Sequence, residues 1–284
     1  MHNGAMKPHN DSNITGTAAT GEIVDALGRP MHDLRISVLD QCNFRCPYCM
    51  PAAKYHAEYE FLKKQQRLTY DEIMRVATAA SELGVSKIRL TGGEPLLDRN
   101  ITKLVQRLAL LPDLTDLALT TNGMLLAPVA AKLADAGLHR VTVSLDSLDE
   151  AVFRRMSGER GELATVLDGI SAAEAAGLGP VKINVVVQKG INDHTVLDLL
   201  EHFRGSRTIV RLIEFMDVGN RNGWRMDQVV PSRELLATVS ARWPLEPVGK
   251  NYPGEVARRY QYQDGRGEIG FISSVTEPFC GDCS

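Results

Sequence analysis

The first 21 residues lack the contiguous apolar segment that a signal peptide or membrane-spanning helix requires, so nothing there points to secretion or a membrane anchor. Charge of one sign is also scarce. With 32 Lys and Arg against 35 Asp and Glu, the formal net charge is −3, too weak a field to draw the chain to nucleic acid or an anionic membrane. Any anion must therefore be met by locally placed cations. Cysteine is sparse and uneven: the five thiols fall in two tight groups, Cys42, Cys46 and Cys49, then Cys280 and Cys283. Such clustering excludes a framework of disulfides stapling distant loops and favours metal binding. No GxxxxGK loop ending in Ser or Thr is present, so phosphate is not held in the P-loop manner. These absences describe a cytoplasmic protein with a flexible tail over residues 1–24, and a 284-residue chain of 44% hydrophobic composition can bury a sizeable core.

What is present begins with CNFRCPYC, residues 42–49, directly after the apolar run LRISVL. Three thiolates at this spacing can hold three corners of an iron–sulfur cube and leave the fourth iron open to bind and cleave something, whereas an electron carrier normally adds a fourth Cys. The alternatives are a structural zinc site, for which His56 is the nearby candidate fourth ligand, or a simple electron-transfer cluster in a non-catalytic protein.

From Leu34 onward, β-branched runs alternate with helical-period segments. Strands are expected at Leu34 to Leu39, Lys87 to Thr91, Asp116 to Thr120, Arg140 to Leu145, Val181 to Val187 and Ile209 to Phe215. Thr69 to Glu72 reads as a capping box, followed by Ile73, Val76, Ala77, Ala80 and Leu83 on one helical face and a stop at Gly84. Six β-α units result, an α/β fold with a parallel sheet. Periodicity alone leaves a barrel and a doubly wound sheet both open. In either, sites form beyond the C-terminal strand ends, and the unusual residues follow the strands in turn: the Cys triplet, GGEP at 92–95, TNG at 121–123, Ser144 with Asp146, and MDVG at 216–219. After Gly219 the alternation stops, leaving a proline-punctuated extension with a helix near Ser232 to Ala241 and strands near Val256 to Tyr262 and Glu268 to Ser273.

Arg35, Lys87, Arg89, Lys182 and Arg211 lie inside otherwise apolar strands. A cation buried there must pair internally, reach solvent or await an anion, and several near one end of the sheet together suit a polyanion such as a phosphorylated substrate.

These motifs are recognisable. CNFRCPYC resembles the CxxxCxxC signature of radical S-adenosylmethionine enzymes, and GGEP that superfamily's second signature. ALGRPMHDLRISV, RLTGGEPLL, LTTNG, VSLDSLD, INVVVQKGIND, IEFMDVGN and FCGDC, in that order, resemble the GTP 3′,8-cyclases of molybdenum cofactor biosynthesis. The resemblance implies a partial (β/α)6 TIM-like barrel over residues 25–219, with a C-terminal extension over 220–284. It implies that Cys42, Cys46 and Cys49 hold a 4Fe–4S cluster whose open iron chelates S-adenosylmethionine, source of a 5′-deoxyadenosyl radical. Tyr48, Gly93, Ser144 and Met216 correspond to the family's S-adenosylmethionine contacts. Arg35, Arg89, Thr120 and Lys182 correspond to its GTP contacts, with Lys87 and Arg211 as secondary candidates. The implied product is (8S)-3′,8-cyclo-7,8-dihydroguanosine 5′-triphosphate, and the implied partners are a second copy of the chain, an external reductant and the downstream cyclic pyranopterin monophosphate synthase. Leu39 and Gln41 flank Asp40 where the family more often has Thr and Arg. Cys280 and Cys283 match the family's second cluster, but the sequence stops at Ser284, before the third Cys and the RxR segment, so that cluster is expected to be one ligand short. Another radical S-adenosylmethionine enzyme with an auxiliary cluster is the alternative within the class.

Overall fold

The computed structural model describes residues 16–17, 23–26, 28–219, 222–252 and 254–277. The expected tail over 1–24 lies mostly outside this set. Within it, β1 (Gly16–Thr17) and β2 (Ile23–Val24) pair antiparallel.

A nine-stranded sheet organises the rest. β3 (Asp33–Ser37), β4 (Lys87–Thr91), β5 (Asp116–Thr121), β6 (Arg140–Ser144), β7 (Lys182–Val187) and β8 (Ile209–Glu214) are neighbours in sequence order and all parallel. The crossovers are α1 (Tyr70–Glu82), α2 (Ile101–Leu108), α3 (Ala130–Asp135), α4 (Glu150–Ser157), α5 (Leu163–Ala175) and α6 (Val196–Phe203). Beyond α7 (Ser232–Arg242) come β9 (Leu245–Val248), β10 (Arg258–Tyr262) and β11 (Glu268–Ile272). β11 pairs parallel with β8, and β10 and β9 follow antiparallel, so the C-terminal part extends the same sheet.

Local chemistry explains the elements. The Thr69 hydroxyl accepts from Glu72 N at 3.2 Å while the Glu72 carboxylate accepts from Thr69 N at 2.7 Å, closing the capping box that starts α1. Gly84 ends it at φ 103, a conformation that a β-carbon disfavours. α1 buries Ile73, Ala77 and Ala80, whereas Val76 and Leu83 stay exposed, so the buried stripe is narrower than the sequence spacing suggests.

The strands alternate strictly. Ile88, Leu90, Leu117, Leu119, Val141, Val143, Ile183 and Val185 are fully buried and face the helices. Each contributes roughly 1.5–3 kcal/mol of burial. The other face turns inward and is polar: Lys87 and Arg89 on β4, Thr120 on β5, Arg140, Thr142 and Ser144 on β6, Lys182 and Asn184 on β7, and Arg211 on β8. KINVVV therefore reads as an alternating strand whose inner side lines a lumen, not as one covered by apolar layers on both faces.

Candidate functional site

The chain leaves β3 when Val38 N bonds to Thr91 O, and the segment from Gln41 to Met50 folds over the C-terminal strand ends. Arg45 shapes it from within. Its guanidinium donates to the carbonyls of Cys42 and Phe44 at 2.8 and 2.7 Å and to that of Tyr55 at 2.8 Å. Phe44 packs edge-on against Phe153, and Gly158 meets the Arg45 carbonyl so closely that a β-carbon there would stand 2.1 Å away.

Gly92 and Gly93 run against this loop. Gly93 N donates to Leu39 O and Glu94 N to Gln41 O, each at 2.7 Å, and a β-carbon on Gly93 would stand 2.1 Å from the Gln41 carbonyl oxygen. The glycine is thus required by the close approach of two backbones. Glu94, almost wholly buried, accepts from the Thr121 hydroxyl, Asn122 N and Leu96 N at 2.7, 2.7 and 3.1 Å. Burial pushes its carboxyl up from the ordinary range, and those three donors pull against that shift. Asn122 Nδ2 in turn donates to Asn43 Oδ1 at 2.7 Å, so the turns after β3, β4 and β5 form one unit.

A cavity of about 190 Å³ lies at this junction, lined by all three thiols with Tyr48, Gly93, Thr120, Ser144, Asp146 and Asn184. A second opening of about 380 Å³ exposes the same thiols on the far side, walled by Tyr55, Tyr59, Phe61, Gly93 and Val218. The structure therefore brings together Cys42, Cys46, Cys49, Tyr48, Gly93, Ser144 and Thr120. Met216 lies just past β8, 40% exposed and outside the lining of either cavity, although its carbonyl accepts from Asn222 Nδ2 at 3.4 Å. Cys280 and Cys283 lie outside the described residues.

The thiols fit a group that brings its own positive charge. Burial pushes all three up, Cys46 most strongly, with the Asp146 carboxylate adding to the effect at Cys46 and Cys49. Among the described residues, the one buried cation beside them, Arg45, is committed to carbonyls. Three thiolates offer one ligand fewer than a structural zinc site takes and match the three corners of an iron–sulfur cube that leaves one iron open.

Deeper in the lumen the strand cations sort themselves. Lys87 pairs with Asp33 at 2.7 Å and donates to the Tyr252 hydroxyl, also at 2.7 Å, so internal pairing accounts for it. Arg140 likewise pairs with Asp116. Arg35, Arg89, Lys182 and Arg211 have no ion-pair partner among the described residues. Register places Arg35 beside Arg89, and Asn184 between Ser144 and Arg211. Burial pulls Lys182 down to about 8 and Arg211 to about 9, with neighbouring arginines adding to both shifts. Arg211 Nε and Asn184 Oδ1 are buried without partners. Sequence reasoning did not single out Arg140, Tyr252 or Asn184; the period-2 alternation of β6 and β7 carries the signal for the inner-facing pair. Here the inner face of the sheet concentrates positive charge that has no ion-pair partner among the described residues.

The Radical SAM superfamily profile matches residues 36–203, and Molybdenum Cofactor Synthesis C matches residues 208–284. The chain is 55% identical over 264 residues to GTP 3′,8-cyclase of Xanthomonas axonopodis pv. citri, covering 93% of this chain and 79% of that one. Identity to GTP 3′,8-cyclase of Acidothermus cellulolyticus is 54% over 265 residues, covering 93% and 73%. Among solved structures, methylornithine synthase has TM-score 0.58 at 17% identity over 75% of this chain and 62% of its own. anSMEcpe with bound AdoMet and a peptide has TM-score 0.57 at 15% identity over 75% and 60%, a likeness of fold alone.

Proposed function

Because the chain belongs to the GTP 3′,8-cyclases, a radical S-adenosylmethionine family of molybdenum cofactor biosynthesis, we propose a division of its barrel into a cofactor end and a substrate end. The enzyme converts GTP to (8S)-3′,8-cyclo-7,8-dihydroguanosine 5′-triphosphate. Cys42, Cys46 and Cys49 would hold the 4Fe–4S cluster, and Tyr48, Gly93 and Ser144 would surround S-adenosylmethionine, with Met216 assigned there by resemblance although it lies outside the cavity lining. When bound, this pair would supply removal of a hydrogen atom from the 3′ carbon of the ribose, and joining that carbon to carbon 8 of guanine as the 7,8-dihydro product would also take one electron and one proton, from an external reductant and solvent.

The chain's own work is binding, orientation and exclusion of water. Arg35, Arg89, Lys182 and Arg211 meet the triphosphate, with Thr120 beside them on the inner face. The observation behind this reading is that these four cations share the inner strand face with Thr120, Ser144 and Asn184 of the thiol cavity and have no ion-pair partner among the described residues. Arginine forks and a desolvated lysine are the groups phosphate oxygens favour. Lys87, already paired with Asp33, has a supporting part.

Residues 25–219 form the catalytic barrel and 220–284 the extension carrying Cys280 and Cys283, assigned by resemblance to a second cluster. A homodimer, an external one-electron reductant and onward passage to cyclic pyranopterin monophosphate synthase belong to the same reading. Among the described residues, no helix is long and apolar enough to cross a membrane.

The test is anaerobic turnover. Reconstituted protein with dithionite, S-adenosylmethionine and GTP is expected to form 5′-deoxyadenosine and the cyclised nucleotide together, and no 5′-deoxyadenosine would sink the assignment. Iron content separates one cluster, about four irons per chain, from two, about eight.

A further inference from the structure

The loop of three thiols is tied down by two different means. Its first half is held from within, by the Arg45 guanidinium on three carbonyls. The second half, from Pro47 to Met50, crosses the mouth of the barrel, and there the tie is Tyr48. Its hydroxyl donates to Asp146 Oδ2 at 2.7 Å, while its carbonyl accepts from Asn222 Nδ2 at 2.9 Å.

Asp146 is itself fixed on both sides. Its Oδ1 accepts from Val186 N at 2.8 Å, joining the end of β6 to β7. Asn192, completely buried, donates through Nδ2 to the Asp146 and Val186 carbonyls, both at 2.9 Å, and accepts from Gln188 N through Oδ1 at 2.8 Å. The carboxylate thus hangs from a satisfied polar frame and presents one oxygen to the loop.

We propose that Asp146 is the positioning residue of the thiol loop: through Tyr48 it sets the placement of Cys46 and Cys49 over the cavity, so that the S-adenosylmethionine pocket is formed before the cofactor arrives. The inference rests on the reading of the cavity given above. A carboxylate is a costly choice for mere stability, because an apolar pair buries well on the same cavity wall, as Phe44 does on Phe153. What a charged hydrogen bond adds is direction, fixing the ring in one orientation rather than a family of packed ones.

The experiment compares wild type, Tyr48→Phe, Asp146→Asn and the double variant as reconstituted holo-proteins under anaerobic conditions. Iron content is measured first, then the dissociation constant for S-adenosylmethionine from its effect on the electron paramagnetic resonance signal of the reduced cluster. Both single variants are expected to keep wild-type iron and to bind S-adenosylmethionine about tenfold more weakly, the effect of losing one charge-assisted hydrogen bond. The double variant is expected to bind no more weakly than either single one, since both remove the same link. Wild-type affinity in Tyr48→Phe would overturn the inference. So would iron loss in both variants with unchanged affinity in the iron-loaded fraction, which would confine the pair to holding the loop's fold. Failure of wild type itself to respond to S-adenosylmethionine would instead strike the reading of the cavity.

Discussion

Replacing Glu214 by Gln tests whether one carboxylate fastens the C-terminal part of the chain to the barrel. Glu214 closes β8, is fully buried, and takes four donors: Ser232 N at 2.7 Å and the Thr276 hydroxyl at 2.6 Å on one oxygen, Val275 N and Thr276 N at 2.8 Å on the other. Glutamine has one acceptor oxygen, so its best orientation keeps Val275 and Thr276 while its amide nitrogen opposes Ser232 N. One buried N–H is then orphaned, at about 1–3 kcal/mol, and the surviving bonds drop from charged to neutral strength, roughly 1 kcal/mol each. Relief of burying a charge offsets part of this. A net loss of about 2–4 kcal/mol remains, which for a chain of this size lowers the melting temperature by roughly 5–10 °C. Burial alone would raise the Glu214 carboxyl, but the Thr276 hydroxyl and the three N–H groups outweigh it and hold it below the ordinary value. Stability from a depressed carboxyl is present above its unfolded value and is lost as pH falls through its folded value. The gap between wild type and Glu214→Gln in anaerobic thermal unfolding is therefore expected to be widest near neutrality and to close in acid. Equal midpoints at neutral pH would refute the clamp, and a gap indifferent to acid would refute the role of the charge.

Two further outcomes follow from the lumen and the loop. Lys182, lowered to about 8 by burial and then by Arg211 and Arg140, loses its charge as pH rises through that value, so GTP affinity is expected to weaken there by up to about tenfold per pH unit. Lys182→Arg is expected to flatten the profile in equilibrium binding, and an unaltered slope would remove Lys182 from the phosphate contacts. Gly93→Ala puts a β-carbon into the Gln41 carbonyl and breaks two backbone hydrogen bonds, about 2–4 kcal/mol in all, so S-adenosylmethionine binding is expected to vanish. Retained binding would show that the loops can part.

Much of this architecture is written locally. The six parallel strands follow from β-branched runs, and α1 from its capping box, because both signals act within a few residues. Val38 and Leu39 belong to the loop rather than to β3, since the turn toward Cys42 begins as soon as Val38 meets Thr91. β9 escaped notice because Pro247 interrupts its four residues, which only an edge strand tolerates. The joining of β11 to β8 depends on contacts across more than 50 positions, from Ile213 to Ile272, to which no local pattern is sensitive. The same division holds at the site. Cysteine spacing and GGEP are local marks, whereas Lys87 choosing Asp33 while Arg89 keeps no partner is decided by register across strands. The links from Tyr48 to Asp146 and from Glu214 to Thr276 also join residues far apart in sequence, where nothing short-range announces them.

The inward row of unpartnered cations has a consequence for how this barrel can evolve. Arg35, Arg89, Lys182 and Arg211 stand near one another without ion-pair partners among the described residues, and Arg211 Nε is buried without a hydrogen-bond partner, so the fold holds like charges together at a cost to its stability. If these side chains bind phosphate as proposed, substitutions that relieve the repulsion, such as Arg211→Met, are expected to stabilise the protein and weaken GTP binding together. On that assignment any small polyanion is expected to raise the melting temperature of the protein and to compete with nucleotide.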